Sequence, residues 1–367
     1  MLPAARGETG RAATLLALER FLPPYRYDQE VVTGWVRSWL TEQGDRNASR
    51  LLSVYASAGV KCRASVVPIE EVFHPKDFEA QNDRYREIAR ASAVDLARRT
   101  LEAAGLQPRE IDLVVSVSCT GFMIPAVEAY VADALGMGPR LVRLPITESG
   151  CAGGVVGLAR AADHLAAHTD RAALVLAVEL SSLTFQRWDR SAANVVSSAI
   201  FGDGGAAAVL VGPDHPRARG PALARFGEAE SLFFPGTTHL MGFHLRNQGL
   251  QIILDPALAP FVRREVVGAV EGFLHPKGLG REDIGRWILH PGGRRIVEAM
   301  SEQLGLGDDD LEPTEAVLAE HGNMSSVTVL FVLDEILRRH RPVAGERGLL
   351  GAFGPGFGAE LALLEFG

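Results

Sequence analysis

Cysteine is scarce in this chain. There are three, Cys62, Cys119 and Cys151, an odd number and too few for a disulfide framework, so the sequence points to a reducing cytoplasm. A surplus of positive charge is also lacking. The formal net charge is −8 at pH 7, and without a concentrated basic face no nucleic-acid partner is expected. Only three of the 37 basic residues are lysines. That arginine excess reads as genome composition or as a means of binding anions. No run of 18 apolar residues occurs, so no membrane span is expected. The opening MLPAARGETGRAATLLALERFL has a short apolar stretch broken by Glu19 and Arg20, without the apolar core of a signal peptide. Short repeats and low-complexity tracts are missing too.

What is present is ordinary globular composition, 47% apolar and 22% charged. A chain of 367 residues suits two or three average domains or one large α/β unit of two fused halves. Short apolar runs alternate with longer helical patterns, which predicts βα units and a mostly parallel, doubly covered sheet. Strands are predicted at 111–117, 140–146, 172–180, 205–212, 286–290, 348–354 and 361–367. Helices are predicted at 84–104, 152–167, 260–274 and 325–339. The Pro-, Gly- and charge-rich stretch at 212–222 divides the chain into residues 1–213 and 214–367.

The segment TESGCAGGVVG sets Cys151 on a turn between a strand ending near Ile146 and a helix beginning near Ala152. Unpaired N–H groups and partial positive charge at a helix start favour a thiolate, so the position suits a nucleophile as well as a small buried residue. Gly150, Gly153 and Gly154 would clear space for a substrate carbonyl. A thiolate needs a partner and a site for the oxyanion it creates. Of ten histidines, His290 stands out because it ends the apolar strand RWIL before a PGG turn, at the sheet end where α/β ligands gather. His239 and His244 are weaker candidates. His321 and Asn323 lie in HGNMSS, with Ser325 and Ser326 as helix caps and Asn323 as a neutral amide donor; a plain turn is the other reading.

Taken together and in order, SGCAGG, AIFGDGGAA (199–207), LHPGGRRI (289–296), HGNMSS (321–326) and FGPGFG (353–358) resemble the motifs of the type III polyketide synthases, the chalcone synthase-like family. The match runs from LPPYRYDQEVV near the start to the last strand. The resemblance implies an α/β, thiolase-like fold, two similar βα halves in five alternating layers, in a homodimer. It assigns the nucleophile to the first half and the histidine and asparagine to the second.

The same resemblance implies a catalytic Cys151, His290 and Asn323. An acyl group from a coenzyme A thioester would load on Cys151, and malonyl-CoA would lose carbon dioxide to extend it, with no metal or redox cofactor. It implies that Phe201 gates the cavity and that Ile252 holds a second gate position, there not aromatic, while Phe243 replaces a small residue. Cys119 and Thr120 would line the cavity, and Ile124 would lie near the dimer interface. Glu179 and Ser325, with residue 119, fall where relatives direct cyclisation. Arg50 and Arg295, with Arg294 beside it, would hold coenzyme A phosphates, whereas Ser53 and Ser57 stand where relatives carry basic residues. Lys61 and Arg63 read as structural or rim residues. The expected product is a cyclised pyrone or phenol. The alternatives are a single-condensation ketoacyl-carrier-protein synthase and an inactive acyl-CoA-binding homologue.

Overall fold

The computed structural model describes residues 12–42, 48–74 and 77–367; the first eleven residues of the stretch weighed as a signal peptide lie outside them. The strands are β1 (Ala13–Phe21), β2 (Tyr25–Asp28), β3 (Cys62–Ser65), β4 (Leu113–Val117), β5 (Val142–Ile146), β6 (Ala172–Leu180) and β7 (Asp203–Val211). They continue as β8 (Ala224–Phe233), β9 (Met241–Arg246), β10 (Gly249–Leu254), β11 (Arg286–Leu289), β12 (Arg347–Gly354) and β13 (Gly358–Phe366). The α-helices are α1 (Gln29–Glu42), α2 (Ala48–Ser57), α3 (Ile69–Val72), α4 (Phe78–Ala104), α5 (Val127–Leu135) and α6 (Gly153–Ala167). After them come α7 (Ala192–Ile200), α8 (Leu258–Leu274), α9 (Arg294–Leu304), α10 (Asp308–His321) and α11 (Thr328–Glu335).

Nine strands form one hydrogen-bonded ladder in the order β11-β12-β13-β8-β1-β7-β6-β4-β5. Outward from β1 the pairings run antiparallel to β7, antiparallel to β6, then parallel to β4. Outward from β8 they run antiparallel to β13, antiparallel to β12, then parallel to β11. The two arms therefore repeat one motif, joined where β1 and β8 pair over three residues. All nine residues of β6 are buried, as expected of a strand covered on both faces.

Side-chain alternation sorts the core into layers. Val115, Val175 and Ala177 face inward against Leu158 of α6 and Val329 and Leu330 of α11, which also meet Leu350, Ala362 and Leu364 of the other arm. Val114, Leu174 and Leu176 face outward against Ala93, Leu96 and Leu101 of α4. Leu289, Leu349 and Leu361 face outward against Val262 and Phe273 of α8 and Val297 of α9. The order is helix, sheet, helix, sheet, helix, with α6 and α11 in the middle. Burying each valine, leucine or phenylalanine among them stabilises the fold by about 1.5–3 kcal/mol.

The two central helices touch with almost no space between them. A Cβ on Gly154 would lie 2.2 Å from the Ser326 carbonyl oxygen and 2.9 Å from Val329 Cγ1 of α11, and one on Gly153 would press α6 against β4 at 2.5 Å from Val117 Cγ1. These glycines therefore serve helix packing, not access to the sulfur as the sequence reading had it. All eight residues of α11 are buried, including Asp334 and Glu335. Arg20 Nε lies 2.8 Å from Asp334, and Arg339 Nε lies 3.0 Å from Glu335, which makes that burial tolerable.

All seven strands read from the sequence are present, β6 with the expected ends and the others shifted by up to three residues, but five of the eight pairings in the sheet are antiparallel, so it is not mostly parallel as expected. The helix expected over 325–339 is instead a 3-10 turn (Ser325–Val327), α11, and a π-helical turn (Ile336–His340).

Candidate active site

Cys151 sits in a 3-10 turn, Gly150–Ala152, between β5 and α6. The backbone at Gly150 has φ +49°, and a Cβ there would press on Pro355 at 2.7 Å, so the turn needs glycine. His290 follows β11, its N–H bonded to the Gly351 carbonyl at 2.8 Å. Asn323 follows α10 and precedes the turn into α11. Thus one residue comes from the first arm and two from the second. All three line one cavity of about 150 Å³.

The Asn323 amide has a fixed direction. Its Oδ1 accepts from the Ser325 N–H at 2.8 Å, with Thr328 Oγ1 at 3.3 Å. Its Nδ2 makes a long 3.4 Å bond to the Gly292 carbonyl and turns its other N–H into the cavity toward the Cys151 sulfur. The expected serine caps are therefore wrong in detail. Asn323 itself takes the Ser325 N–H, Thr328 Oγ1 takes the Met324 N–H at 2.8 Å, and Ser326 Oγ donates to Glu179 Oε1 at 2.6 Å.

Burial works against charge on both reacting groups. It pushes the Cys151 thiol up to about 11, opposed by hydrogen bonds from Ser325 and Asn323. It pulls His290 down to about 3. The sequence reading expected the helix start to depress the thiol; here desolvation outweighs it, because a short 3-10 turn carries little dipole and the sulfur is out of water. Both His290 ring nitrogens are buried with no hydrogen-bond partner among the described residues. Charging the two together, by moving a proton from sulfur to imidazole, would offset both penalties.

Several other expected residues also line this cavity: Phe201, Cys119, Thr120, Phe243, Ile252 and Ser325. Cys119 Sγ lies 3.3 Å from Ser325 Oγ, and Ser325 also reaches Cys151, so one hydroxyl stands between two thiols. Ser325 adopts φ +50°, rare for a residue with a side chain. Burial, and then the nearby Glu179, push the Cys119 thiol well above its usual range.

Three groups of expected residues lie outside this cavity. Glu179 does not line the cavity: it is fully buried behind it, where Oε2 accepts from Thr120 Oγ1 (2.9 Å) and the Cys119 N–H (3.0 Å). It supports the wall and cannot touch a substrate directly. Ile124 is 100% exposed and lies outside this chain's cavity. Arg50 and Arg295 are exposed and do not line it either; Arg294 is paired with Glu298 at 2.8 Å. The helices α2 and α9 that carry them approach where a Cβ on Gly59 would lie 3.4 Å from Arg294 Cβ. Ser53 and Ser57 bond back to carbonyls of their own helix. Among the weaker histidines, His321 is buried, edge-on to Phe331, and does not line the cavity; neither do His239 and His244.

Sequence reasoning missed part of the wall. Phe353, Pro355 and Phe357 of the FGPGFG loop line the cavity with their side chains. Arg63, read as structural or rim, lines it too and is only 6% exposed. The loop's aromatic spacing was a usable signal; a lone arginine offers none.

Comparison with known proteins places this geometry. The family models for the N-terminal and C-terminal domains of chalcone and stilbene synthases match residues 4–215 and 226–366. A 1,3,6,8-tetrahydroxynaphthalene synthase of Streptomyces peucetius is 39% identical over 357 residues, 97% of this chain and 94% of the relative. A phloroglucinol synthase of Pseudomonas fluorescens is 32% identical over 318 residues, 85% and 87% of the two chains. The crystal structure of the Streptomyces coelicolor 1,3,6,8-tetrahydroxynaphthalene synthase, a bacterial type III polyketide synthase, superposes with a TM-score of 0.89 at 29% identity, covering 96% and 99%.

Proposed function

The chain belongs to the chalcone and stilbene synthase family and is a type III polyketide synthase with that family's thiolase-like fold, and from that premise we propose how its own residues carry the reaction. The Cys151 thiol gives its proton to His290 as the sulfur attacks the carbonyl of an acyl-CoA. The carbon–sulfur bond to coenzyme A breaks, and the leaving thiolate takes the proton back from the imidazolium. Malonyl-CoA then enters, and its thioester oxygen accepts from Asn323 Nδ2 and from an N–H of neutral His290. Carbon dioxide leaves, and the electron pair of the broken bond is held as an enolate by those two donors. The enolate carbon attacks the acyl-Cys151 carbonyl, expelling the sulfur, and the chain is two carbons longer. Repetition and ring closure give a pyrone or phenol.

The observation that carries this reading is the shared cavity of Cys151, His290 and Asn323, with the asparagine amide turned donor-first into it. Aromatic and aliphatic walls (Phe201, Phe353, Phe357, Leu258, Val262) suit a growing carbon chain, and Ser and Thr hydroxyls suit its oxygens. Exposed Phe122, Ile124, Val142 and Leu144, on the β5 edge and the loop after β4, support a homodimer. Three free cysteines suit the cytoplasm. No helix among the described residues is long and apolar enough to cross a membrane. The repeated strand order supports a division at residues 213 and 214.

Mass analysis of products from purified protein given malonyl-CoA, alone and with short, long or aromatic acyl-CoA esters, tests the reading. Cyclised polyketides without any carrier protein are expected. An absolute requirement for carrier protein would favour a single-condensation enzyme instead.

A further inference from the structure

Arg63, on β3, is buried and faces neutral acceptors at the end of another element. Its guanidinium donates to the carbonyls of Ser198 (2.6 Å), Ala199 (2.6 Å) and Phe201 (2.9 Å), and to Gln29 Oε1. The first two are among the last carbonyls of α7, which lack partners inside the helix and carry partial negative charge. Gln29 braces the same place, its Nε2 donating to Ala199 at 2.9 Å. Burial pulls Arg63 down to about 10, opposed by Tyr55, Asp203 and Cys62. A buried cation held mainly by carbonyls is a weak stabilising device, so its use lies in what it holds still.

What it holds is the joint between the two arms. The Asn323 N–H donates to the Ile200 carbonyl at 2.7 Å, and the Gly202 N–H donates to the Asn323 carbonyl at 3.0 Å, so Phe201 and Asn323 lie in a parallel bridge. The Arg63 side chain runs directly beneath it: a Cβ on Gly202 would lie 3.2 Å from Arg63 Cβ, and one on Gly322 would lie 3.7 Å away. Carbonyls on both sides of Ile200 are therefore pinned by one guanidinium, and the Ile200 carbonyl between them fixes the height of Asn323.

We propose that Arg63 is a positioning residue that, by clamping the end of α7, sets Phe201 and the Asn323 amide at their places in the cavity. The inference rests on the synthase reading above and adds a residue to it. It separates the half-reactions, because loading on Cys151 needs sulfur and imidazole, whereas decarboxylation also needs the Asn323 N–H within about 3 Å of the thioester oxygen.

The test uses the full-length protein with Arg63→Met, Arg63→Lys and Gln29→Met, each checked for fold by circular dichroism and thermal unfolding. Acyl loading is followed by intact-protein mass, and decarboxylation by carbon dioxide release from malonyl-CoA. Arg63→Met should load within about threefold of wild type but lose roughly tenfold or more in kcat for decarboxylation, with the KM for malonyl-CoA within about twofold. Arg63→Lys should recover most of that loss, and Gln29→Met should show a smaller loss, about threefold, in the same half-reaction. A folded Arg63→Met with both half-reactions unchanged, or both reduced by one factor, overturns the proposal. If Arg63→Met does not fold, Gln29→Met decides, and an unchanged ratio of the two rates overturns it. A wild type that neither acylates Cys151 nor releases carbon dioxide would sink the synthase reading itself, which is a different result from any of these.

Discussion

Phe243 and Ile252 stand directly opposite each other as cross-strand partners in the β9–β10 hairpin, and both line the cavity. Residues so paired have Cβ atoms about 5 Å apart and share their space. Read in the sequence, the two substitutions push cavity size in opposite directions at separate places; in the fold they are one wall. We expect Phe243→Gly to raise turnover of long-chain acyl-CoA starters by about tenfold and Ile252→Phe to lower it. The double variant should return close to the wild-type range, a departure from additivity typical of touching residues. Competition assays with acyl-CoA esters of graded length measure this, and strict additivity would show that the pair does not share a wall.

The buried thiol at about 11 makes a second expectation. An imidazole that takes its proton would bring the anion into the neutral range, so His290→Gln should slow alkylation of Cys151 by iodoacetamide at pH 7 by more than about tenfold. Peptide mapping after timed quenching identifies the site. Equal alkylation rates in the two proteins would mean that sulfur and imidazole do not exchange a proton.

Asn323→Asp keeps the shape of the side chain but replaces its donor with a carboxylate. Oδ1 can still accept from the Ser325 N–H, while the cavity receives an acceptor and a negative charge where an enolate must form. Decarboxylation should fall by about a hundredfold or more, with acyl loading much less affected. Retained carbon dioxide release would remove Asn323 from the oxyanion site.

His321 offers a pH expectation. Its ring is lowered from 6.5 to about 4, first by burial and then by Arg20, Arg26 and Arg339. The unfolded chain takes up that proton near pH 6.5 and the native chain only near 4, so native stability is complete above about 6.5 and is lost as pH falls between those values. The loss is at most about 1.4 kcal/mol per pH unit for one proton. His290, lowered to about 3 by burial, adds to the same trend and extends it further into acid. His321→Gln should flatten the slope of the urea-unfolding free energy between pH 6.5 and 4. Identical slopes would show that His321 is protonated alike in both states.

A fifth expectation concerns the exposed edge. Val142 and Leu144 on β5 are 47% and 36% exposed, beside Phe122 and Ile124. Leu144→Asp should weaken self-association by about tenfold or more in sedimentation velocity, since a charge on a covered apolar edge finds no partner. An unaltered sedimentation profile would place the interface elsewhere.

The sequence made two of the candidate catalytic positions legible for a physical reason. Cys151 and His290 each stand where an apolar run stops and a turn starts, and such junctions gather at one end of a sheet, whereas Asn323 follows α10 and its role came from the resemblance. Six strands escaped notice, the short β2, β3, β9 and β10 and two members of the nine-stranded sheet. In β1, ATLLALERF, most residues are buried on both faces, so no alternation marks it. In β8, ARFGEAESLF, polar residues and a glycine mask the pattern. Glu179 matched a family position yet lies behind the wall, a matter of depth that spacing does not encode. Arg63 escaped for the opposite reason, because an isolated arginine usually lies on a solvated face, and only its contacts with carbonyls from a distant helix reveal otherwise.

Because Gly154 leaves no room for a methyl group between α6 and the turn that leads into α11, side chains cannot be enlarged where the two arms meet. Variants that accommodate bulkier or longer products must therefore be sought on the far side of the chamber, in the β9–β10 ribbon. Selection for new products would leave the reacting groups as an unmoving anvil and reshape only the mould set against it.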